Sequence, residues 1–437
     1  MLNRGQGFED SRGRGFKSLL SHATSCYCPD ISHSLLGYAA RFVSRHPVAS
    51  ALHTPVIDFL IFSITVLLIP IRAAQPKPFN PTGPSLKSPC YYPLFHEVMV
   101  GSRLRISLPL LLSLILGILL VPITSSAELK TIKQARSLMG TRVEITAQGK
   151  DPEKLNRAVE RAFAEVKRIE QKMSEREKGS ELARINRNAG RKAVKVSPEM
   201  LAIITKSIHF SRISQGAFDI SWAALAELWD FDRERPVVPP KEKVAESVKL
   251  IDYRKIAVGR ESSTVFLRDK GMRIGLGGIA KGYAVDRAIQ TLQQEGVKDA
   301  IVNAGGDLRV IGKKDGKPWR VGVQDPRGRG KLLGVLEITD TSFATSGDYE
   351  KYFSKEGIRY HHLLDPGTGF PARGCRSVTV ICASALEADA LSTAVFVLGP
   401  LAGLKLIEEL PGVEALIIDQ EGRIIMSAGM EGRIKFL

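Results

Sequence analysis

Residues 275–287 read Gly275-Leu276-Gly277-Gly278-Ile279-Ala280-Lys281-Gly282-Tyr283-Ala284-Val285-Asp286-Arg287. The alternation from Met272 to Leu276 predicts a strand leading in, and the spacing from Lys281 to Glu295 predicts a helix leading out. Such a turn aims main-chain N–H groups and the positive end of a helix dipole at one point, a good place for phosphate. Gly275, Gly277 and Ala280 also satisfy the G-x-G-x-x-G/A spacing of dinucleotide sites. The sequel does not follow that pattern. A ribose-binding acid is wanted about 20 residues on, at the end of the second strand. Here Asp299 precedes that strand (Asp299 to Asn303), and Asp307 follows it inside a second glycine turn, Asn303-Ala304-Gly305-Gly306-Asp307. Lys281 is followed by Gly282, which excludes a P-loop. Glycines that merely allow close helix–sheet packing remain the plain alternative.

Outward from this stretch, elements of both kinds recur without strict alternation. Strands are expected at Arg142–Ala147, Val265–Leu267, Val378–Ile381 and Ala415–Ile418, with a closing hairpin through Gly422. Helices are expected at Pro152–Met173, Pro198–Ser211, Ala385–Leu398 and Leu401–Leu410. The pattern is α+β, with mixed sheets and packed helices.

Two polar clusters offer chemistry. Ser346-Gly347-Asp348-Tyr349 is followed by Arg359-Tyr360-His361-His362-Leu363-Leu364-Asp365-Pro366-Gly367-Thr368-Gly369. After Glu128 the chain has three histidines, His209, His361 and His362; His209 falls on an expected helix, whereas a histidine beside an Asp-Pro-Gly turn suits proton transfer. In Ala388-Asp389-Ala390-Leu391-Ser392-Thr393, Asp389 and Thr393 are one helical turn apart on one face. They read either as oxygen ligands for Mg²⁺, which takes few protein ligands, or as a helix-start cap with an incidental threonine.

The chain has 437 residues, 44% hydrophobic and 25% charged, which affords a sizeable core. A net charge of +16 is compatible with an anionic partner, but the basic residues are scattered and no aromatic-basic sheet pattern appears, so nucleic acid is not expected. Cys26-Tyr27-Cys28 is not a zinc spacing; Cys375 and Cys382 read as buried free thiols, with a disulfide as the alternative. Met99-Val100-Gly101-Ser102-Arg103-Leu104-Arg105, an apolar run from Ile106 to Ile123, and Thr124-Ser125-Ser126-Ala127 are the three parts of an export signal. Such signals act at an N-terminus, so Met99 is a candidate start. Residues 1–98, rich in Pro, Ser and Gly, then form a low-complexity extension, residues 99–127 a signal or anchor, and residues 128–437 a single folded domain. Two membrane helices are the alternative, the first from Val56 to Ile71, although Asp58 interrupts it.

From Met139 to Gly399 the chain resembles the ApbE family of FAD:protein FMN transferases. The resemblance rests on five motifs in order: Met139-Gly140-Thr141; Gly216-Ala217-Phe218-Asp219-Ile220-Ser221 with Leu228-Trp229; Gly277 to Asp286; Asn303 to Asp307; and the cluster from Ser346 to Thr393. It implies an ApbE-like fold and FAD contacts from Met139, Ala217, Phe218, Asp219, Lys281, Arg287 and Leu364. It implies Mg²⁺ held by Asp389, Ser392, Thr393 and the carbonyl of Ala284, with His362 as general acid/base and Asp389 as a catalytic residue. It further implies transfer of FMN from FAD to a Ser or Thr hydroxyl of an acceptor, with AMP released. The acceptor would carry a short flavinylation motif in a subunit of a membrane redox complex or an exported electron-transfer protein. The enzyme would then be periplasmic or anchored to the outer face of the inner membrane. Three features depart from the family: Arg176 stands where an aromatic residue is usual, Ala224 replaces a proline, and no lipid-accepting cysteine follows the apolar run. A Mg²⁺-dependent FAD pyrophosphatase and a non-catalytic FAD-binding protein are the competing readings.

Overall fold

The computed structural model describes residues 97–100, 104–107, 113, 128–231, 233–328 and 330–437. The chain divides into two units, Met1–Val121 and Pro122–Leu437. In the first, Glu97–Val100 pairs antiparallel with Leu104–Ser107. The expected extension and export signal otherwise lie outside the described residues. Among the described residues no helix is long and apolar enough to cross a membrane.

The second unit is built on one sheet of eight strands whose order in space is their order in the chain. These are β1 (Lys130–Leu138), β2 (Thr141–Gly149), β3 (Asp299–Ala304), β4 (Asp307–Ile311), β5 (Ser342–Gly347), β6 (Cys375–Cys382), β7 (Glu414–Asp419) and β8 (Ile424–Met426). Every neighbouring pair is antiparallel. Between β2 and β3 the chain inserts α1 (Pro152–Met173), α2 (Glu181–Arg187), α3 (Pro198–Ile213), α4 (Lys241–Val248) and α5 (Ala280–Gln294). Between β6 and β7 it inserts α6 (Ala385–Leu398) and α7 (Pro400–Glu408). This is the α+β architecture expected, and the closing hairpin through Gly422 is β7–β8.

Local chemistry explains the helix bounds. Asp151 caps α1 by accepting from the N–H groups of Glu153 and Lys154, and Pro152 occupies the first turn, where a missing donor costs nothing. Leu155, Val159, Ala162, Phe163, Val166 and Ile169 then share one buried face; each large side chain so buried contributes roughly 1.5–3 kcal/mol.

The period-two alternation of the strands separates two cores. Ala415 and Ile417 of β7 face the helices, while Leu416 and Ile418 face the opposite way. That second face packs Trp319, Val321, Leu336 and Ile434 from a small sheet of Trp319–Gln324, Leu332–Ile338 and Ile434–Phe436. This second unit therefore has three layers, with the helices over one face of the main sheet.

Met272–Leu276 is a correction: it is irregular rather than a strand. Its polar backbone groups are satisfied without a ladder. The Asn186 side-chain amide donates to the Ile274 carbonyl and accepts from the Ile274 N–H, both at 2.9 Å, and the Gly275 N–H donates to the Ile220 carbonyl at 2.7 Å. Cys375 and Cys382 are buried free thiols at opposite ends of β6, roughly 23 Å apart at about 3.3 Å per residue, far beyond disulfide reach.

Candidate functional site

Two tight turns meet at one end of the main sheet. Met139 and Gly140 join β1 to β2 with φ of 54° and 69°, the left-handed pair that a two-residue hairpin requires. The Met139 N–H is held by the Glu170 carboxylate at 2.6 Å. Gly305 and Gly306 join β3 to β4 with φ of 64° and 101°, and the space beside Gly305 is filled by Thr141. Asp307, the residue after this turn, points toward the helices and is 1% exposed.

The glycine turn before α5 brings three motifs together. A β-carbon added at Gly278 would lie 3.2 Å from the Phe218 ring and 3.3 Å from Thr393 Oγ1. The Ala217-Phe218-Asp219 segment, the turn and the start of α6 are therefore in mutual contact. One turn later α5 and α6 touch by backbone. A β-carbon at Gly282 would lie 2.5 Å from the Ala385 carbonyl carbon and 2.8 Å from Asp389 Cβ, and the Gly282 N–H donates to Asp389 Oδ2 at 3.0 Å.

Charge is concentrated at this junction. The Lys281 ammonium contacts the Asp307 carboxylate and lies 3.7 Å from Asp389 Oδ1. Asp389 is 3% exposed. Burial raises both carboxyls, and their mutual repulsion adds to the effect at Asp307, which is pushed up to about 7; Lys281 pulls the other way on each. Burial alone would lower Lys281, but the two carboxylates outweigh it and hold the ammonium above the usual lysine range. Two carboxylates thus share one ammonium in a water-poor place. Ser346 Oγ at the end of β5 lies 2.9 Å from Ser392 Oγ and 3.3 Å from Thr393 Oγ1. Ser392 Oγ donates to the Asp389 carbonyl at 3.0 Å. Ala284, the fifth residue of α5, is wholly buried.

This donor set fits a hard cation: buried carboxylate and hydroxyl oxygens with a negative excess. Among the described residues there is no group of three His, Cys, Asp or Glu able to hold a metal. A Mg²⁺ ion needs only one or two protein carboxylates, with waters and substrate phosphates as its other ligands, so Asp389 with the neighbouring hydroxyls is chemically sufficient for one.

The histidine pair lies at the end of a short hairpin, Tyr352–Lys355 with Ile358–His361: His361 is the hairpin's last paired residue and His362 follows it. His361 Nε2 donates to the Ala372 carbonyl at 3.1 Å, and its ring stands edge-on to Phe396 of α6 at 5.5 Å. The His362 N–H donates to the Lys351 carbonyl at 3.1 Å, while its Nδ1 is buried without a hydrogen-bond partner among the described residues. Burial pushes both imidazoles down to about 4, and at His362 the neighbouring His361 adds to this. Both are neutral at neutral pH.

The remaining expected contacts divide. Leu364 is buried and packs with Leu225, Trp229 and Val244. Asp219 has its carboxylate committed inside the fold, accepting from the N–H and hydroxyl of Ser221 and from the Tyr253 N–H. The structure does not bring Arg287 to the Lys281 cluster: its guanidinium pairs with Glu165 of α1 at 3.0 Å. Arg176 is exposed. Sequence reasoning assigned no role to Asp307, Ser346 or Asp286, which the fold places in or beside the junction. The signal for Asp307 was its position directly after the second glycine turn.

The ApbE family model matches residues 139–417. A Treponema pallidum protein named FAD:protein FMN transferase is 34% identical over 328 residues, covering 71% of this chain and 91% of its own length. A Klebsiella pneumoniae protein of the same name is 32% identical, with 61% and 84% covered. Among solved structures, the ApbE protein of Thermotoga maritima superposes with a TM-score of 0.65 at 37% identity, over 70% of this chain and 99% of that one. The flavin transferase ApbE of Vibrio cholerae gives 0.63 at 28% identity, over 71% and 100%.

Proposed function

The chain belongs to the ApbE family, and from that premise we propose that it is a Mg²⁺-dependent FAD:protein FMN transferase. FAD is the donor, a Ser or Thr hydroxyl of an acceptor protein receives FMN through a phosphoester, and AMP leaves. The observation that carries this reading is the junction of α5 and α6, where the Gly282 N–H, the Lys281 ammonium and the Asp389 carboxylate converge.

The FAD diphosphate is assigned to the glycine turn, where Lys281 and the N-terminal end of α5 offer positive charge. Phe218, Met139 and Leu364 would flank the flavin or adenine; Asp219 would take part through its main chain, since its carboxylate is already used. Asp389, Ser392 or Thr393, and the carbonyl of Ala284 are the groups that would hold Mg²⁺. Bound there, Mg²⁺ supplies electrostatic stabilisation of charge on the diphosphate oxygens. The acceptor oxygen attacks the FMN-side phosphorus, the bond to the bridging oxygen breaks, and AMP departs with that oxygen. His362 would accept the hydroxyl proton; its ring, neutral at working pH, has a nitrogen lone pair for this. Lys281 neutralises the departing phosphate.

The export-signal pattern at residues 99–127 supports a periplasmic or membrane-anchored location, with residues 128–437 as the catalytic domain. The acceptor class proposed is a subunit of a membrane redox complex or an exported electron-transfer protein. The test of the site is Asp389→Ala: flavin transfer should vanish at any Mg²⁺ concentration while circular dichroism and melting stay native-like. Full transfer by this variant at low Mg²⁺ would overturn the assignment.

A further inference from the structure

We infer that Asp286, which contacts neither the assigned substrate site nor the assigned cation ligands, is a positioning residue that sets the affinity of the Asp389 site for Mg²⁺. The inference rests on the reading that Asp389 holds the cation.

Asp286 lies four residues after Gly282 on α5, hence on the same face. Its carboxylate reaches across to the start of α6 and accepts from four donors. Oδ2 takes the Ser384 hydroxyl at 2.7 Å and the Leu386 N–H at 3.0 Å. Oδ1 takes the Ala385 N–H at 3.1 Å and the Arg309 guanidinium at 2.6 Å. The first donors of α6 have no partner within their own helix, and Ser384 by itself reaches only the Glu387 N–H, at 3.4 Å. The cap that orders this terminus therefore comes mainly from another helix, and the field of the α6 N-terminus favours the negative charge there.

The two helices are thus pinned twice, one turn apart. At the first pin the Gly282 backbone lies against Ala385 and binds Asp389. At the second, Asp286 binds residues 384–386. As α5 advances by one turn, α6 recedes by one. One pin alone allows α6 to pivot about Gly282; two fix its direction, and with it the distance from Asp389 and Thr393 to the first turn of α5. That first turn carries Lys281, and the Ala284 carbonyl follows directly after it. Arg309 of β4 completes the arrangement by tying Asp286 to the strand that bears Asp307. Residues that orient a metal ligand in this way change metal affinity by about 10–100-fold when removed.

Calorimetric titration of metal-stripped protein with MgCl₂ tests this on the full chain, for the wild type and for Asp389→Ala, Asp286→Ala and Asp286→Asn. Asp389→Ala should lose Mg²⁺ binding; if it binds like the wild type, the cation reading itself fails. Given that loss, Asp286→Ala should weaken Mg²⁺ binding about tenfold or more. Asp286→Asn keeps one acceptor oxygen and should fall between, and it serves as the test if the alanine variant does not fold. Saturating Mg²⁺ should restore most of kcat in either variant. Wild-type Mg²⁺ affinity in a folded Asp286 variant, even one with a lowered Tm, reduces the residue to a stabilising cap and overturns the inference. So does a kcat loss that Mg²⁺ does not rescue.

Discussion

Substituting Gly282 by alanine is the sharpest perturbation of the helix junction. The added methyl would sit 2.5 Å from the Ala385 carbonyl carbon and 2.8 Å from Asp389 Cβ, against ordinary contacts of 3.4–4 Å. Both neighbours are held in place, one being main chain and the other hydrogen-bonded to this very residue, so relief must come from moving α6 away from α5 by about 1 Å. Overpacking of this kind costs typically 1–3 kcal/mol, offset by about 1 kcal/mol that alanine regains over glycine within a helix. Net stability should therefore fall by roughly 0–2 kcal/mol, and the fold should survive. Function should suffer far more. A displacement of about 1 Å at a reacting site costs on the order of 100-fold in rate, and the same movement breaks the Gly282–Asp389 hydrogen bond. The assay is flavin transfer from FAD to an acceptor across a Mg²⁺ series, alongside urea denaturation. A Gly282→Ala protein with wild-type rate and wild-type Mg²⁺ response would show that the closeness of these helices is a packing matter with no bearing on catalysis.

His362→Gln should fold normally and lose about 10²–10⁴ of the transfer rate, since a positioned base contributes that much; steady-state kinetics at saturating FAD would read it, and an unchanged rate would remove the residue from the mechanism. Stability should depend on pH through the histidine pair. His361 is held down to about 4 in the fold against 6.5 for a free imidazole, so the unfolded chain binds the extra proton between those values. Its contribution is whole above pH 6.5 and lost toward pH 4, on the order of 3 kcal/mol. Asp307, raised to about 7, acts in the opposite sense over that window. The prediction is therefore read as a difference: the stability advantage of wild type over His361→Leu should shrink as pH falls from 6.5 to 4, and a constant advantage would contradict it. Asn186→Ala should cost about 1–3 kcal/mol of stability by stranding the buried N–H and carbonyl of Ile274; a loss below 0.5 kcal/mol in urea titration, roughly the scatter of neutral surface changes, would mean that water replaces the amide.

How much was legible beforehand depends on whether the information was local. The bounds of α1 and α6 follow from signals within a few residues: Asp151 before Pro152, Ser384 before Ala385, and apolar residues at helical spacing. Strand β5, Ser342-Phe343-Ala344-Thr345-Ser346-Gly347, was not expected, and only Ser346 and Gly347 were read, as part of a polar cluster; yet it is paired on both sides near the middle of the main sheet. Its hydroxyls are tolerated there because partners on β6 and α6 satisfy them, as Thr345 with Thr379 and Ser346 with Ser392. Met272–Leu276 alternates like a strand, and only the distant Asn186 reveals why no ladder is needed. At the site, Asp389 and Thr393 were visible through their helical spacing. Asp307 escaped because its inward direction is set by the β3–β4 register, and Asp286 because its partners lie about a hundred residues away. Arg287 shows the converse: membership of a motif did not bring its side chain to the cluster.

The account stands on a cation and a diphosphate meeting where α5 touches α6, so that a protein hydroxyl captures FMN. Intact-mass spectrometry of a candidate acceptor incubated with this protein, FAD and Mg²⁺ tests that claim most directly. The account predicts that the acceptor gains the mass of one FMN, in step with AMP release, and that neither happens in EDTA. Free FMN and AMP with an unmodified acceptor would instead mean hydrolysis, and intact FAD would mean a binding protein; either result contradicts the transfer proposed here.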